Sequence, residues 1–432
     1  MTSAPHRDVR GVDVVPPPPG YRLAELDDTR DRRLIQDVDR WGFAFEPDPN
    51  DAEREVWTLE PGRSVGVWDE RGTEARLAAV HSSYAFQLPV PGGRRLPTSG
   101  LTWVAVHPGH RRRGLARAMV TAHLARSVAR GEVLSALYAA EAAIYGRYGY
   151  GIATQFTRLQ VPRGRRLHTV AGSEDLLVEL DTADAGRHGA DLDRVHRAVQ
   201  RPGWITRDTD ALRTSHLTDR PSARRDAERL RVAVVRTVDG EPRGYAVFRR
   251  ANRWSQTGLP DGRVTVHESA ALDPAAARAL WGTLTDLDLM GTVETGDLAL
   301  DDPLVHLLGD LRGTNARVHD GVWIRILDLP AVLATRTYAA PVDVVLEVTD
   351  AVVPANAGRW HLRGTGSAEI TRTDEPAHLA IDVADLASVY LGTFSLAALA
   401  GAGRVQELVP GHLAAAATAF GWPVAPANSW GF

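Results

Sequence analysis

The order of strand-like and helix-like runs predicts an α+β chain, and three observations carry the prediction. Apolar runs at 64–68, 75–88 and 101–106, bounded by turn residues, read as strands; Pro91, Gly92 and Gly93 supply a hairpin connection between the last two. After Gly114, apolar residues recur at Ala116, Val120, Leu124 and Val128, which places them on one face of a helix ending near Gly131. A length of 432 residues exceeds one ordinary hydrophobic core, so two or three domains are expected.

Composition narrows the function classes. Hydrophobic residues at 44% and charged residues at 24% fit a globular chain. A formal charge of −4 argues against a dedicated nucleic-acid binder, whose domains carry clustered positive charge. The absence of cysteine excludes disulfides, thiolate metal sites and a cysteine nucleophile together. The opening residues hold no signal-like apolar stretch, and no run approaches the roughly 20 residues of a membrane helix. A cytoplasmic protein is expected.

Along the chain, residues 1–20 end in four prolines and a glycine and are expected to form a disordered tail. Helices are expected near 30–45 and 51–59, and a short strand at 134–138. A second region repeats the flavour, with a helix near 190–199, strands at 230–236, 244–250 and 263–271, and a helix from Pro274. Its strand–helix step parallels the one at 104–117, but Leu272, Asp273, Pro274 and Ala275 replace the basic turn. A third region carries strands at 322–327, 342–348, 359–362, 368–371 and 378–381, then helices at 383–400 and 411–420.

The motif with most chemistry runs from Leu101 to Met119. A strand ends at Val106, Pro108 and Gly109 break it, arginines follow, and a helix begins at Gly114. Backbone N–H groups at a helix start, together with arginines, form a site for a pyrophosphate. The exposed edge of Val104, Ala105 and Val106 can pair with the amides of a pantetheine arm. Expected contacts are these three residues with Arg112, Arg113, Gly114, Leu115, Ala116 and Arg117. The pattern resembles the acetyl-CoA motif of the GNAT acetyltransferases, met by Arg111, Gly114 and Ala116.

A second motif, Tyr138 to Gly151, follows the next strand. Paired with the first, it resembles the Eis-type (enhanced intracellular survival) GNAT N-acetyltransferases. The stretch Val322–Tyr338 also resembles the start of that family's third domain. The resemblance implies a catalytic GNAT domain over 21–162, a degenerate GNAT domain over 163–314, and a sterol-carrier-protein-like α/β domain over 315–432. It further implies acetyl-CoA as donor, transfer to amines of polycationic small molecules such as aminoglycosides, and a homohexamer. Tyr145 is implied as general acid and the Phe432 carboxylate as general base. Ala140 and Glu141 are implied near the donor, with alanine where the family commonly has serine.

On the acceptor side, aromatic residues gather in the first hundred positions near Asp27, Asp28, Asp37 and Asp39. Trp41, Trp57 and Trp103 are the expected pocket walls, through cation–π attraction. His107 and His110 read as loop and capping residues, and no metal site is expected. Hydrolase and P-loop motifs are absent. Two alternatives stay open: an apolar-ligand binder with a vestigial GNAT site, and a protein lysine acetyltransferase.

Overall fold

The computed structural model describes residues 11–432 as two compact units. The first comprises residues 11–46, 59–154 and 321–432; the second comprises 47–58 and 155–320. Among the described residues no helix is long and apolar enough to cross a membrane.

The first unit contains two sheets. Its larger sheet is built on β1 (Tyr21–Glu25), β2 (Val65–Asp69), β3 (Arg76–Pro89), β4 (Arg95–Val106), β5 (Leu134–Tyr138) and β6 (Gly151–Ile152). Strand Val322–Ile326 inserts between β5 and β6, antiparallel to both. The third sequence region therefore begins inside the first sheet, because Trp323, Ile324 and Ile326 are apolar enough to be buried on both faces.

Helix α1 (Arg32–Phe43) lies close against β4, where the lack of a side chain on Gly42 admits Ala105. Helix α2 (Leu115–Ala129) is buried along most of its length. Helix α3 (Ala142–Tyr145) is one turn. The remaining five-stranded sheet, in the order 367–372, 358–365, 342–349, 379–382 and 405–407, carries four short helices among the described residues, the first of them Leu329–Thr335. The expected helix at 383–400 is two, Val383–Tyr390 and Leu396–Gly401, broken at Gly392, whose φ of 97° lies in the left-handed region.

Residues 11–20 hold no helix or strand, as their prolines dictate, yet they are not a loose tail. Val12 is buried among Leu101, Val120, Tyr145 and Tyr148. The Asp13 N–H donates to the Val352 carbonyl (3.2 Å) and the Val15 N–H to Thr121 Oγ1 (3.0 Å). One apolar side chain and two tertiary hydrogen bonds anchor a segment whose composition reads as unstructured. Residues 1–10 of the expected tail lie outside the described residues.

The second unit is a six-stranded mixed sheet with a three-stranded satellite. Its core joins Val264, Val266, Ala276, Leu280 and Trp281 under helix Pro274–Thr285. The expected helix near 51–59 is a 3₁₀ segment, Pro49–Arg54, so Trp57 stands beyond it in no helix or strand.

Candidate active site

The site begins with a fault in β4. β3 and β4 stay paired along their length, but the register slips between Val80 and Ser82, leaving a bulge at Trp103–Val104. Trp103 takes a φ of 53°, a left-handed conformation that costs a non-glycine residue on the order of 1–3 kcal/mol. On its other edge β4 pairs in parallel with β5 only from Thr98–Leu134 to Gly100–Ala136. Beyond Gly100 the strands diverge, so β4 from Leu101 to Val106 is unpaired on the β5 side. Backbone groups facing an open cleft can accept an extended amide-bearing ligand as an added strand.

At the end of β4 the chain turns through Arg112 (φ 59°) and Gly114 (φ 82°) into α2. A Cβ on Gly114 would meet nothing within 4 Å, so glycine is required by its dihedral rather than by space. No side chain caps α2 and no acid occupies its first turn. Its first N–H groups are therefore left for an anion, with the positive end of the helix dipole behind them.

These features open into one cavity of about 930 Å³. Val104, Ala105, Val106, Arg112, Gly114, Leu115, Ala116, Arg117, Glu141 and Tyr145 all line it, together with Trp41 and Arg111. Five expected residues do not line it, and one of them is Phe432, expected as the base. Arg113 turns away and donates to the Tyr21 hydroxyl (2.9 Å), because that turn position faces β1. Ala140 stays exposed outside the wall, and Trp57 belongs to the second unit. Trp103 sits on the bulge itself, partly exposed and outside the cavity wall.

Tyr145 packs in the core cluster with its ring edge-on to Tyr150 (5.9 Å). Burial, then the neighbouring Tyr148 and Glu141, push its hydroxyl up to about 12, so the phenol holds its proton firmly. Beneath it Tyr150 shares a hydrogen bond with Ser135 (2.7 Å), and Ser135 with His123 Nε2 (2.9 Å). Tyr148 and Tyr150 are both buried in the core.

The aromatic nest around Phe432 lies where β4 and β5 part. Gly100, the last β4 residue paired with β5, has no side chain, and the Phe86 ring occupies that space. Phe86 meets Phe432 (4.8 Å between centroids) and Trp430 (5.5 Å), while Tyr138 at the end of β5 meets Phe432 at 5.5 Å.

The aspartates expected near the acceptor are engaged locally. Asp27 accepts from the N–H groups of Thr29 and Arg30, and Asp28 accepts from the Ser64 hydroxyl. Asp37 pairs with Arg40 (3.0 Å), and Asp39 is buried, with burial raising it to about 6. None of the four lines the cavity, whose carboxylates are Asp13 and Glu141. His107 accepts from the Gly109 N–H (3.2 Å), a local cap as expected, and His110 lies 3.0 Å from the Tyr21 hydroxyl.

Several lining residues were missed from sequence. Asp13, Val15, Ala351 and Val352 come from distant segments with no motif of their own. The loop carrying Ala351 and Val352 is fixed by Asp350, which takes both oxygens to Arg325 Nη2 (2.6 and 2.7 Å) and accepts from the Val352 and Val353 N–H groups. Arg147 stood inside the second motif but carried no expected role.

The second unit shows what the repeat has lost. Its parallel pair, Gly262–Ala271 with Met290–Glu294, also parts after Thr265–Glu294, beside a bulge at His267. There, however, Gly296 presses against the carbonyls of Val266 and His267. The following helix is capped by Asp273, which accepts from the Ala276 N–H (2.8 Å) and pairs with Arg243 (2.8 Å). A carboxylate thus fills the place an anionic ligand would need.

Comparisons with known proteins agree with this geometry. Two acetyltransferase (GNAT) domain families match residues 27–153 and 203–326, and a sterol carrier protein domain family matches 329–429. An uncharacterized N-acetyltransferase of Streptomyces avermitilis is 41% identical over 391 residues, covering 88% of this chain and 92% of that protein. N-acetyltransferase Eis of Mycobacterium tuberculosis is 36% identical over 355 residues, covering 79% and 83%. Among solved structures, Eis1 from Mycobacterium abscessus superposes with a TM-score of 0.81 at 30% identity, over 95% of this chain and all of that one. A GCN5-related N-acetyltransferase from Anabaena variabilis, at 19% identity and a TM-score of 0.77, shares the fold. Two tandem GNAT domains followed by a sterol-carrier domain, with the first alone keeping an open strand edge and an uncapped basic helix start, place the chain in the Eis-type N-acetyltransferase family.

Proposed function

We propose that the chain transfers an acetyl group from acetyl-CoA to amino groups, with Tyr145 as general acid and the Phe432 carboxyl as general base. One observation carries the donor assignment: a single cavity joins the free β4 edge, the uncapped arginine-flanked start of α2, and Tyr145. These residues fit an extended thioester donor. The β4 edge suits the pantetheine amides, and the α2 turn with Arg111 and Arg112 suits the diphosphate.

In the reaction the acceptor nitrogen forms a C–N bond with the thioester carbonyl carbon as the C–S bond breaks. Tyr145 gives its proton to the departing sulfur, and the Phe432 carboxylate takes the proton leaving the nitrogen. A carboxylate with a reference pKa near 3.5 is ionised at neutral pH and accepts that proton once attack makes it acidic. Phe432 does not line the cavity, and its ring packs on Phe86 and Tyr138 at the parting of β4 and β5, so the base role rests on the family resemblance.

The acceptors proposed are polycationic small molecules such as aminoglycosides. Support comes from the family resemblance, with Trp41 and Glu141 on the cavity wall available for a cationic amine. A homohexamer and a cytoplasmic location belong to the same reading. Thiol release from acetyl-CoA, measured against a panel of polyamines, monoamines and lysine peptides, tests it. Release with polyamines is expected, and no release with any amine overturns it. Size-exclusion chromatography with light scattering tests the hexamer.

A further inference from the structure

The cavity holds a second group of arginines that the diphosphate does not account for. Arg117 lies within α2, beyond the turn that carries Arg111 and Arg112, and Arg147 follows α3. Both line the cavity, and neither is paired with a carboxylate among the described residues; Arg147 Nη2 donates only to the Ala143 carbonyl (3.1 Å). Tyr148 lines the same cavity as the two arginines. Burial raises the Tyr148 phenol, and the charges of Arg147 and Arg117 both oppose that rise.

The same end of the cavity is fenced by the N-terminal arm. Thr121, one helical turn beyond Arg117 and on the same face of α2, holds Val15, while Asp13 is tied to Val352. Four arginines against the carboxylates of Asp13 and Glu141 leave the wall net positive.

Coenzyme A carries its phosphates in two places, a diphosphate and a 3′-phosphomonoester on the ribose. A monoester bearing about −1.5 to −2 charges is best met by two guanidinium groups. We propose that Arg117 and Arg147 form a separate 3′-phosphate site, through which the enzyme selects coenzyme A thioesters over their 3′-dephospho counterparts. The proposal rests on the acetyl-CoA reading above.

Steady-state kinetics with acetyl-CoA and 3′-dephospho-acetyl-CoA test it, beside calorimetric binding of CoA and dephospho-CoA. For the unaltered protein the dephospho donor is expected to raise KM about 10- to 100-fold, the scale of charge-assisted hydrogen bonds, with little change in kcat. In the double variant Arg117→Gln/Arg147→Gln that ratio is expected to fall to about 1–3, through weaker binding of the intact donor. Arg112→Gln should weaken both donors alike and keep the ratio. Thermal melts control for folding of these exposed substitutions. Equal use of both donors by the unaltered protein, or a ratio that survives the double substitution, overturns the proposal. Failure to bind or turn over either donor instead overturns the donor reading itself.

Discussion

Replacing Tyr145 with phenylalanine removes one hydroxyl from the cavity wall and keeps the ring against Tyr150. The size of the effect follows from the state of that hydroxyl. With its pKa pushed up to about 12, Tyr145 is a weaker acid than an ordinary phenol. Against a thiol near 8.5, complete transfer before the C–S bond breaks runs uphill by about 3.5 units, or about 5 kcal/mol at 1.36 kcal/mol per unit. The proton therefore moves only as charge builds on sulfur, and until then Tyr145 contributes a hydrogen bond to a developing thiolate. Such bonds contribute about 1.5–3 kcal/mol, so Tyr145→Phe should lower kcat about 10- to 150-fold with KM for acetyl-CoA within about 3-fold.

The pH dependence has a definite sign. An acid must carry its proton, so activity from this group is lost only as pH rises through about 12. The unaltered protein should show no alkaline decline owed to Tyr145 between pH 7 and 10. Stopped-flow thiol detection at saturating amine gives both numbers. A kcat within 3-fold of the unaltered protein refutes the acid role. So does an alkaline limb near pH 8 that disappears in Tyr145→Phe.

Other substitutions test the scaffold of the site. Asp350→Ala leaves Arg325, fully buried, without its partner and should cost about 3–5 kcal/mol in urea unfolding, while loosening the Ala351–Val352 wall and raising KM for the donor. Gly114→Ala forces a side chain into a φ of 82° and should cost about 1 kcal/mol and weaken the donor, although nothing crowds the added carbon. Asp39 has a folded pKa of about 6 against 3.8 when exposed, so it lowers stability as pH rises through that window. Asp39→Asn should then stabilise the protein at pH 7 by about 1–2 kcal/mol, discounted for partial solvation, as read by thermal or urea melts. Buried His81 and His196 fall to about 3 and His216 to about 4, chiefly through desolvation, and His123 is lowered for the same reason. Each stays neutral when folded, so its contribution is complete above pH 6.5 and is lost as pH falls below that, through about 3–4 for His81, His196 and His216. Urea midpoints should decline steeply on acidification below pH 6.5, and His81→Gln should flatten that slope.

Much of the donor site was legible because local sequence dictates it. A strand end, a basic turn, a glycine that tolerates a left-handed φ and a helix start are all set within about twenty residues. The same locality made the fold order readable, along with the loss of chemistry at Leu272–Ala275, where Asp273 caps its own helix. Local pattern failed where the deciding contact lay far along the chain. The arm at 11–15 reads as a proline-rich tail, and only the burial of Val12 beside Tyr145 and the bonds to Thr121 and Val352 make it a wall.

Sequence by itself therefore determined the family, the element order and the residues of the anion-binding turn, since each rests on backbone preferences that neighbours in the chain impose. Tertiary structure alone decided which side chains share the cavity. It turned Arg113 toward Tyr21, spent Asp28 on Ser64 and drew Val322–Ile326 into the first sheet. It also put Arg117 and Arg147 on the wall of one cavity with Tyr148. The physical reason is that pairing of charges, filling of space and completion of sheet edges depend on partners tens or hundreds of residues away, which no local pattern encodes.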